Sequence, residues 1–205
     1  MKYGKVLLCI VPLIIASYLG VKTAEGHTST DIYSGNWATT VANNLAVAVA
    51  PSAQGYFLRI ENAAAAWNGI EDALVFKAPH KSDEAETNHV SRVHVRGVDL
   101  GATGAYADAG NYKYSIIFGY TLDWSAEWKD SIVRLNTNSS TTGNGLKNLT
   151  YSQIQETITH EFGHVAALKH NALTSEDSNA IMRQYGFNDT AVPLSHDIAM
   201  IKHKY

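Results

Sequence analysis

Residues 160–170 read His-Glu-Phe-Gly-His-Val-Ala-Ala-Leu-Lys-His, and four of them carry side chains suited to metal chemistry. His160 and His164 are four apart, so on a helix their imidazoles project from one face about one turn apart, where both rings can reach a single ion. Glu161 is rotated by roughly 100° from His160. That sets its carboxylate beside the ion, where it can accept a proton from a water molecule the ion has acidified. A catalytic zinc takes three protein ligands and leaves the fourth position open. His170 is the nearest candidate for the third. On a continuous helix it would lie about 9 Å beyond His164 along the axis and off its face, so the chain must leave the helix and turn back. Ala167 stands in that turn, where a positive φ costs a residue with a Cβ about 1–2 kcal/mol. Either Ala167 bears that cost or a different local geometry makes the turn.

Such a site needs a rigid helix under it. Thr150 or Ser152 can cap one, with Gln153 or Gln155 three residues later completing a capping box. Ile154, Ile158, Phe162, Val165 and Leu168 then recur at three- and four-residue steps, which predicts a buried stripe opposite the histidines. An earlier helix is expected from Ser52, with Phe57, Ile60, Ala64 and Trp67 on one face and an end near Asn68-Gly69. Strands are expected at 73–76, 90–98, 114–120 and 131–136, and an exposed Asn/Ser/Thr/Gly loop at 137–145. Strands with one early and one late helix predict an α+β domain.

Composition narrows the function. The chain has 205 residues, 45% hydrophobic and 17% charged, with a formal net charge of −3. This fits a single folded domain and leaves no basic footprint for nucleic acid. Lys2 and Lys5 precede an apolar run over 6–15 that is too short to span a bilayer, and smaller, more polar residues follow; residues 1–26 read as a secretory signal peptide, with an uncleaved anchor as the alternative. The expectation is a secreted, extracellular domain without stable membrane association, whose partner is a protein or peptide substrate. The one cysteine, Cys9, lies in that leader. The mature chain would therefore hold no disulfide, and a deformylase, which needs an upstream cysteine ligand, is excluded. Residues 27–51 show no period and read as an N-terminal arm or short pro-segment, ahead of a catalytic domain over 52–205.

The stretch HEFGHVAALKH resembles the signature of the metzincin zinc peptidases, with Ala167 where those proteins place a turning glycine. Ser178-Asn179-Ala180-Ile181-Met182 is similar to their methionine turn, and residues 193–205 look like the C-terminal helix of the matrixin branch. The resemblance implies a zincin-like catalytic domain, α+β, with a twisted mixed sheet, an active-site helix and a C-terminal helix. By the match, one Zn2+ would be held by His160, His164 and His170, with Glu161 as general base and Met182 as a packing floor. Residues 132–136 would be the edge strand that pairs with substrate, and Tyr185 would be a possible oxyanion donor. The latency cysteine and the second zinc cluster of animal matrixins are not reproduced; His80, His89 and His94 lack the spacing. Asp99 and Asp108 could enter a calcium site, but loop aspartates more often make turns, so calcium is not assigned.

Two rivals remain. Glu176 would be the third ligand in the other large zinc-peptidase branch. An exported binding or structural domain, with a structural or relic zinc site, would have no need of an unliganded carboxylate such as Glu161. The activity expected is that of a secreted zinc metalloendopeptidase.

Overall fold

A computed structural model describes residues 29–83, 92–172 and 178–205. Its strands are β1 (Asn36–Trp37), β2 (Val47–Val49), β3 (His80–Lys81), β4 (Val93–Val98), β5 (Ala107–Ser115), β6 (Gly119–Leu122), β7 (Glu127–Trp128) and β8 (Asp130–Asn136). Its helices are α1 (Thr39–Ala42), α2 (Phe57–Trp67), α3 (Tyr151–Val165) and α4 (Ser195–Lys204). The fold is α+β, with a mixed six-stranded sheet in the order β3-β2-β4-β8-β5-β6. The first four strands run parallel, β5 runs antiparallel to β8, and β6 runs antiparallel to β5. β1 and β7 form a separate parallel pair.

The register Val47↔Val93, Val49↔Val95 and Val95↔Val133 puts these buried valines on one face of the sheet, since side chains alternate sides along a strand. Ile60, Ala63, Ala64 and Trp67 of α2 and Ile158, Phe162 and Val165 of α3 join them in one continuous core. α2 and α3 lie side by side. The Trp67 indole donates to the Thr159 carbonyl (2.9 Å), and Phe76 meets Phe162 edge-on at 5.1 Å. The helix on which the histidines depend is thus held along its length.

The sequence and the structure differ in five places. The early helix begins as a 3-10 turn over Pro51–Tyr56 and becomes α-helical at Phe57, while Ser52 Oγ accepts from Gly97 N (2.9 Å) and ties the turn to β4. Residues 73–76 make only an isolated bridge, Leu45↔Phe76, and the backbone groups of Phe76 itself are taken by the Asn68 side chain (2.9 and 2.8 Å). The span 114–120 is a hairpin rather than one strand: β5 ends at Ser115, and β6 starts at Gly119, whose φ of +66° suits glycine. Residues 132–136 are not an edge strand, since β8 lies between β4 and β5. Residues 27–51, in which no period is legible, include β2, an interior strand of the main sheet. The expected leader over 1–26, His89 and Glu176 lie outside the described residues.

Candidate metal centre

Thr150 is the N-cap of α3, and the capping box uses Gln153: Gln153 N donates to Thr150 Oγ1 (3.3 Å) and Thr150 N to Gln153 Oε1 (3.0 Å). At the other end Ala167 adopts φ 77°. Leu168 N then reaches Gly163 O (2.9 Å) and Ala167 N reaches His164 O (3.1 Å), the paired bonds of a Schellman turn. Carbonyls at the helix end also find donors from three distant segments. The Asn111 amide serves His164 O (3.0 Å), the Trp37 indole serves Val165 O (2.9 Å), the Tyr205 hydroxyl serves Ala166 O (3.5 Å) and Tyr33 N serves Ala167 O (2.8 Å). Those bonds hold the left-handed alanine in place and bring the chain back toward His160.

The result is convergence. His160, His164 and His170 each offer a ring nitrogen, and these nitrogens lie within 4.8 Å of one another, with the Nε2 atoms of His160 and His170 3.2 Å apart. Tetrahedral Zn–N bonds of about 2.0–2.1 Å put ligand nitrogens ~3.3 Å apart, so the donor set fits a zinc-sized ion after small side-chain movements. Such a three-histidine group can hold a metal ion. His160 Nδ1 lies 2.7 Å from Ile181 O and His164 Nδ1 lies 2.8 Å from Leu168 O. Each carbonyl fixes the proton on Nδ1 and leaves Nε2 free as a donor to metal. Burial lowers the pKa of His160 to about 4 and holds that of His164 well below the ordinary imidazole value. His170, the most exposed of the three, is lowered too by partial burial. All three rings are therefore kept neutral, the form that ligates.

Glu161 is buried beside them, and its Oε2 has no hydrogen-bond partner among the described residues. Burial, and secondarily the charge of Asp108, pushes its pKa up to about 8. A cation at the histidines would draw it back down. This carboxylate serves no visible structural purpose.

Beneath the site lie Asp197, which carried no sequence signal of its own, and Met182, which was expected there as a packing floor. Asp197, fully buried, accepts from Ile181 N (2.7 Å), Met182 N (3.2 Å) and Leu194 N (2.8 Å), and so fixes the turn that presents the Ile181 carbonyl. Gly163 lies so close to Met182 that a Cβ there would fall 2.2 Å from the thioether sulfur. Met182 thus packs under the helix between the two histidines. Asp31 supports the far side: its backbone carbonyl accepts from Lys169 N (2.8 Å), and its carboxylate takes Ala172 N (3.0 Å) and the His196 ring (3.1 Å), so it holds the chain on either side of His170.

A cleft of about 490 Å³ opens over the histidines, bounded by Tyr33, Trp124, residues 105–109 and the 183–187 loop. Tyr33, stacked on Trp124 at 4.2 Å, has its phenol pKa raised by burial and by Glu161. It lies in the stretch that offered no pattern to read. Tyr185 lines the same cleft and is largely exposed. The strand beside the cleft is β5. β6 covers its outer side only from Tyr112 to Ser115, so among the described residues Ala107 to Gly110 has no strand on that side.

The remaining candidates are engaged elsewhere. Asp99 accepts from Gly101 N (2.9 Å) and the Asn138 amide (2.8 Å), Asp108 pairs with Arg134, His94 lies buried 2.8 Å from Asp130, and His80 is exposed on β3.

No family model and no curated protein matches the sequence. Among solved structures it is similar to the one described as "GM1 bound form of the ECX AB5 holotoxin", at 14% identity and a TM-score of 0.49 over 81% of this chain and 82% of that one. At that identity and score the likeness leaves function open.

Proposed function

We propose that the protein is a zinc-dependent endopeptidase with a zincin-like fold and His160, His164 and His170 as metal ligands. The observation that carries the reading is Glu161: a buried carboxylate adjoining three converging imidazoles, with a free oxygen and no ligand or structural task. A structural metal site is closed by protein ligands and has no use for such a group. Zinc held there by the three histidines would supply Lewis acidity toward a water molecule and a substrate carbonyl.

Within that scheme the chain's own residues divide the work. The carbonyls of Ile181 and Leu168 orient the rings of His160 and His164. Glu161 takes the proton from the attacking water and delivers it to the leaving amine. The open side of Ala107 to Gly110 offers backbone donors and acceptors to an extended peptide, which recruits a main chain with little demand on its sequence. An open cleft, rather than an enclosed cavity, favours an endopeptidase.

Hydrolysis of a quenched peptide or a casein-like protein, measured with and without a zinc chelator, tests the reading. Cleavage that stops on chelation and returns with added zinc is expected. A folded, zinc-loaded chain that cleaves neither substrate would contradict it.

A further inference from the structure

Away from the cleft, the β5–β6 hairpin carries an apolar surface that nothing among the described residues covers. Its tip is Ile116-Ile117-Phe118, which are 93%, 82% and 76% exposed. The register Tyr112↔Leu122 and Tyr114↔Tyr120 places those four residues on the same face below the tip, with Tyr114 and Leu122 more than half exposed and the Tyr114 and Tyr120 rings 5.1 Å apart. Lys113, Thr121 and Ser115 occupy the opposite face. We propose that this hairpin inserts its tip into the interfacial region of a lipid bilayer and holds the protein on a membrane surface.

Four observations favour a bilayer over a protein partner. First, the apolar residues form the convex end of a ribbon rather than a groove or a flat face. Second, the area is small: the three tip side chains with the exposed parts of Tyr114 and Leu122 offer on the order of 700 Å², short of the ~800 Å² per partner in a stable protein interface. Insertion into an interface needs only the side chains themselves, each fully immersed. Third, Ser115 Oγ accepts from Ile117 N (3.2 Å) and Phe118 N (3.5 Å), so the turn satisfies amides that an apolar medium would otherwise leave bare. Fourth, Tyr114 and Tyr120 stand directly below the tip, where amphipathic rings suit the headgroup level.

Charge sets the lipid dependence. Lys113 is the only basic residue from Ala107 to Leu122, and its ammonium is 2.7 Å from Asp123. With that cation neutralised, insertion is driven by apolar burial and binds zwitterionic lipid as well as anionic lipid. At ~3.3 Å per residue the tip stands about 20 Å along β5 from Ala109, which lines the cleft. Insertion would therefore keep the cleft close to the bilayer, contrary to the expectation of a domain without membrane association.

The test is a fluorophore at the tip, which reports locally and is blind to the apolar run over 6–15. In the full-length chain carrying Cys9→Ser and Ile117→Cys, an environment-sensitive nitrobenzoxadiazole label at position 117 is titrated with phosphatidylcholine vesicles. A several-fold emission increase with a blue shift is expected, little changed by adding phosphatidylserine, while the same label at Lys202→Cys stays silent. Adding Ile116→Ser and Phe118→Ser should cut the response at the parent's half-saturating lipid concentration at least about tenfold; both positions are exposed, so folding should be unaffected. No lipid response at position 117, or one that survives the two serines, overturns the proposal. So does an emission increase without vesicles that grows with protein concentration, which would assign the tip to contact between copies.

Discussion

His160 is aimed by Ile181: its Nδ1 lies 2.7 Å from the Ile181 carbonyl, 21 positions further along the chain. That carbonyl is in turn set by Asp197, which accepts from the amides of Ile181 and Met182 and reaches back from the first turn of α4 to Leu194 N. The metal centre is therefore braced from the C-terminal helix as well as from its own.

Removing that brace has a defined consequence. Asp197→Ala leaves three backbone amides without their acceptor, at about 1–3 kcal/mol for a buried orphan. We expect a lower melting temperature together with zinc affinity reduced by 10–100-fold, the usual effect of losing a group that orients a ligand. Calorimetry of zinc binding checks it. Lowered stability with unchanged affinity would mean that the turn does not govern His160.

Gly163 is needed for space. Gly163→Ala would normally favour a helix by about 0.5–1 kcal/mol, but here the new methyl meets Met182 Sδ and the Trp67 ring. Overpacking of this kind costs about 1–3 kcal/mol, so a melting temperature lower by several degrees is expected. A melting temperature that rises would show that Met182 is free to move aside.

Ala167 makes the opposite prediction. Its φ of 77° is strained by about 1–2 kcal/mol, and glycine relieves that while losing part of the gain to a looser unfolded chain. Ala167→Gly should raise stability by roughly 0.5–1 kcal/mol and leave zinc stoichiometry unchanged. Thermal unfolding of the two chains, at matched zinc, decides it.

Metal removal should be visible in stability. A ligand at a thousandfold excess over its dissociation constant adds about 4 kcal/mol, so chelation should lower the melting temperature by roughly 10 °C. His170→Ala should weaken zinc binding by at least about 100-fold. Unchanged affinity would remove His170 from the site.

Much of this was legible in the sequence, for local reasons. The capping box at Thr150 and the four-residue spacing of His160 and His164 are written in short-range pattern and have their counterparts in the structure; of the expected stripe Ile158, Phe162 and Val165 are buried on α3, while Ile154 is half-buried and the buried Leu168 lies past the helix end. The need for a turn before His170 was legible too, but whether Ala167 would bear a positive φ or another geometry would make the turn was left open; the structure shows the former. Long-range pairing was not. β8 reads as a strand, but nothing within residues 132–136 says whether a neighbour lies on one side or two. Residues 114–120 read as one β-rich run because the turn that splits them is built from Ile116, Ile117 and Phe118, residues that ordinarily extend a strand. Asp31, Tyr33 and Asp197 act through tertiary contacts, so local patterning left them unmarked.

The most direct test of the peptidase account is Glu161→Gln, with zinc content and peptide hydrolysis measured on the same preparation. Gln keeps the shape of the side chain but cannot take a proton. One zinc per chain is expected, as in the parent, with kcat lowered by about 10²–10⁴-fold, the span of a lost general base. A variant that retains zinc and cleaves at the parental rate would contradict it.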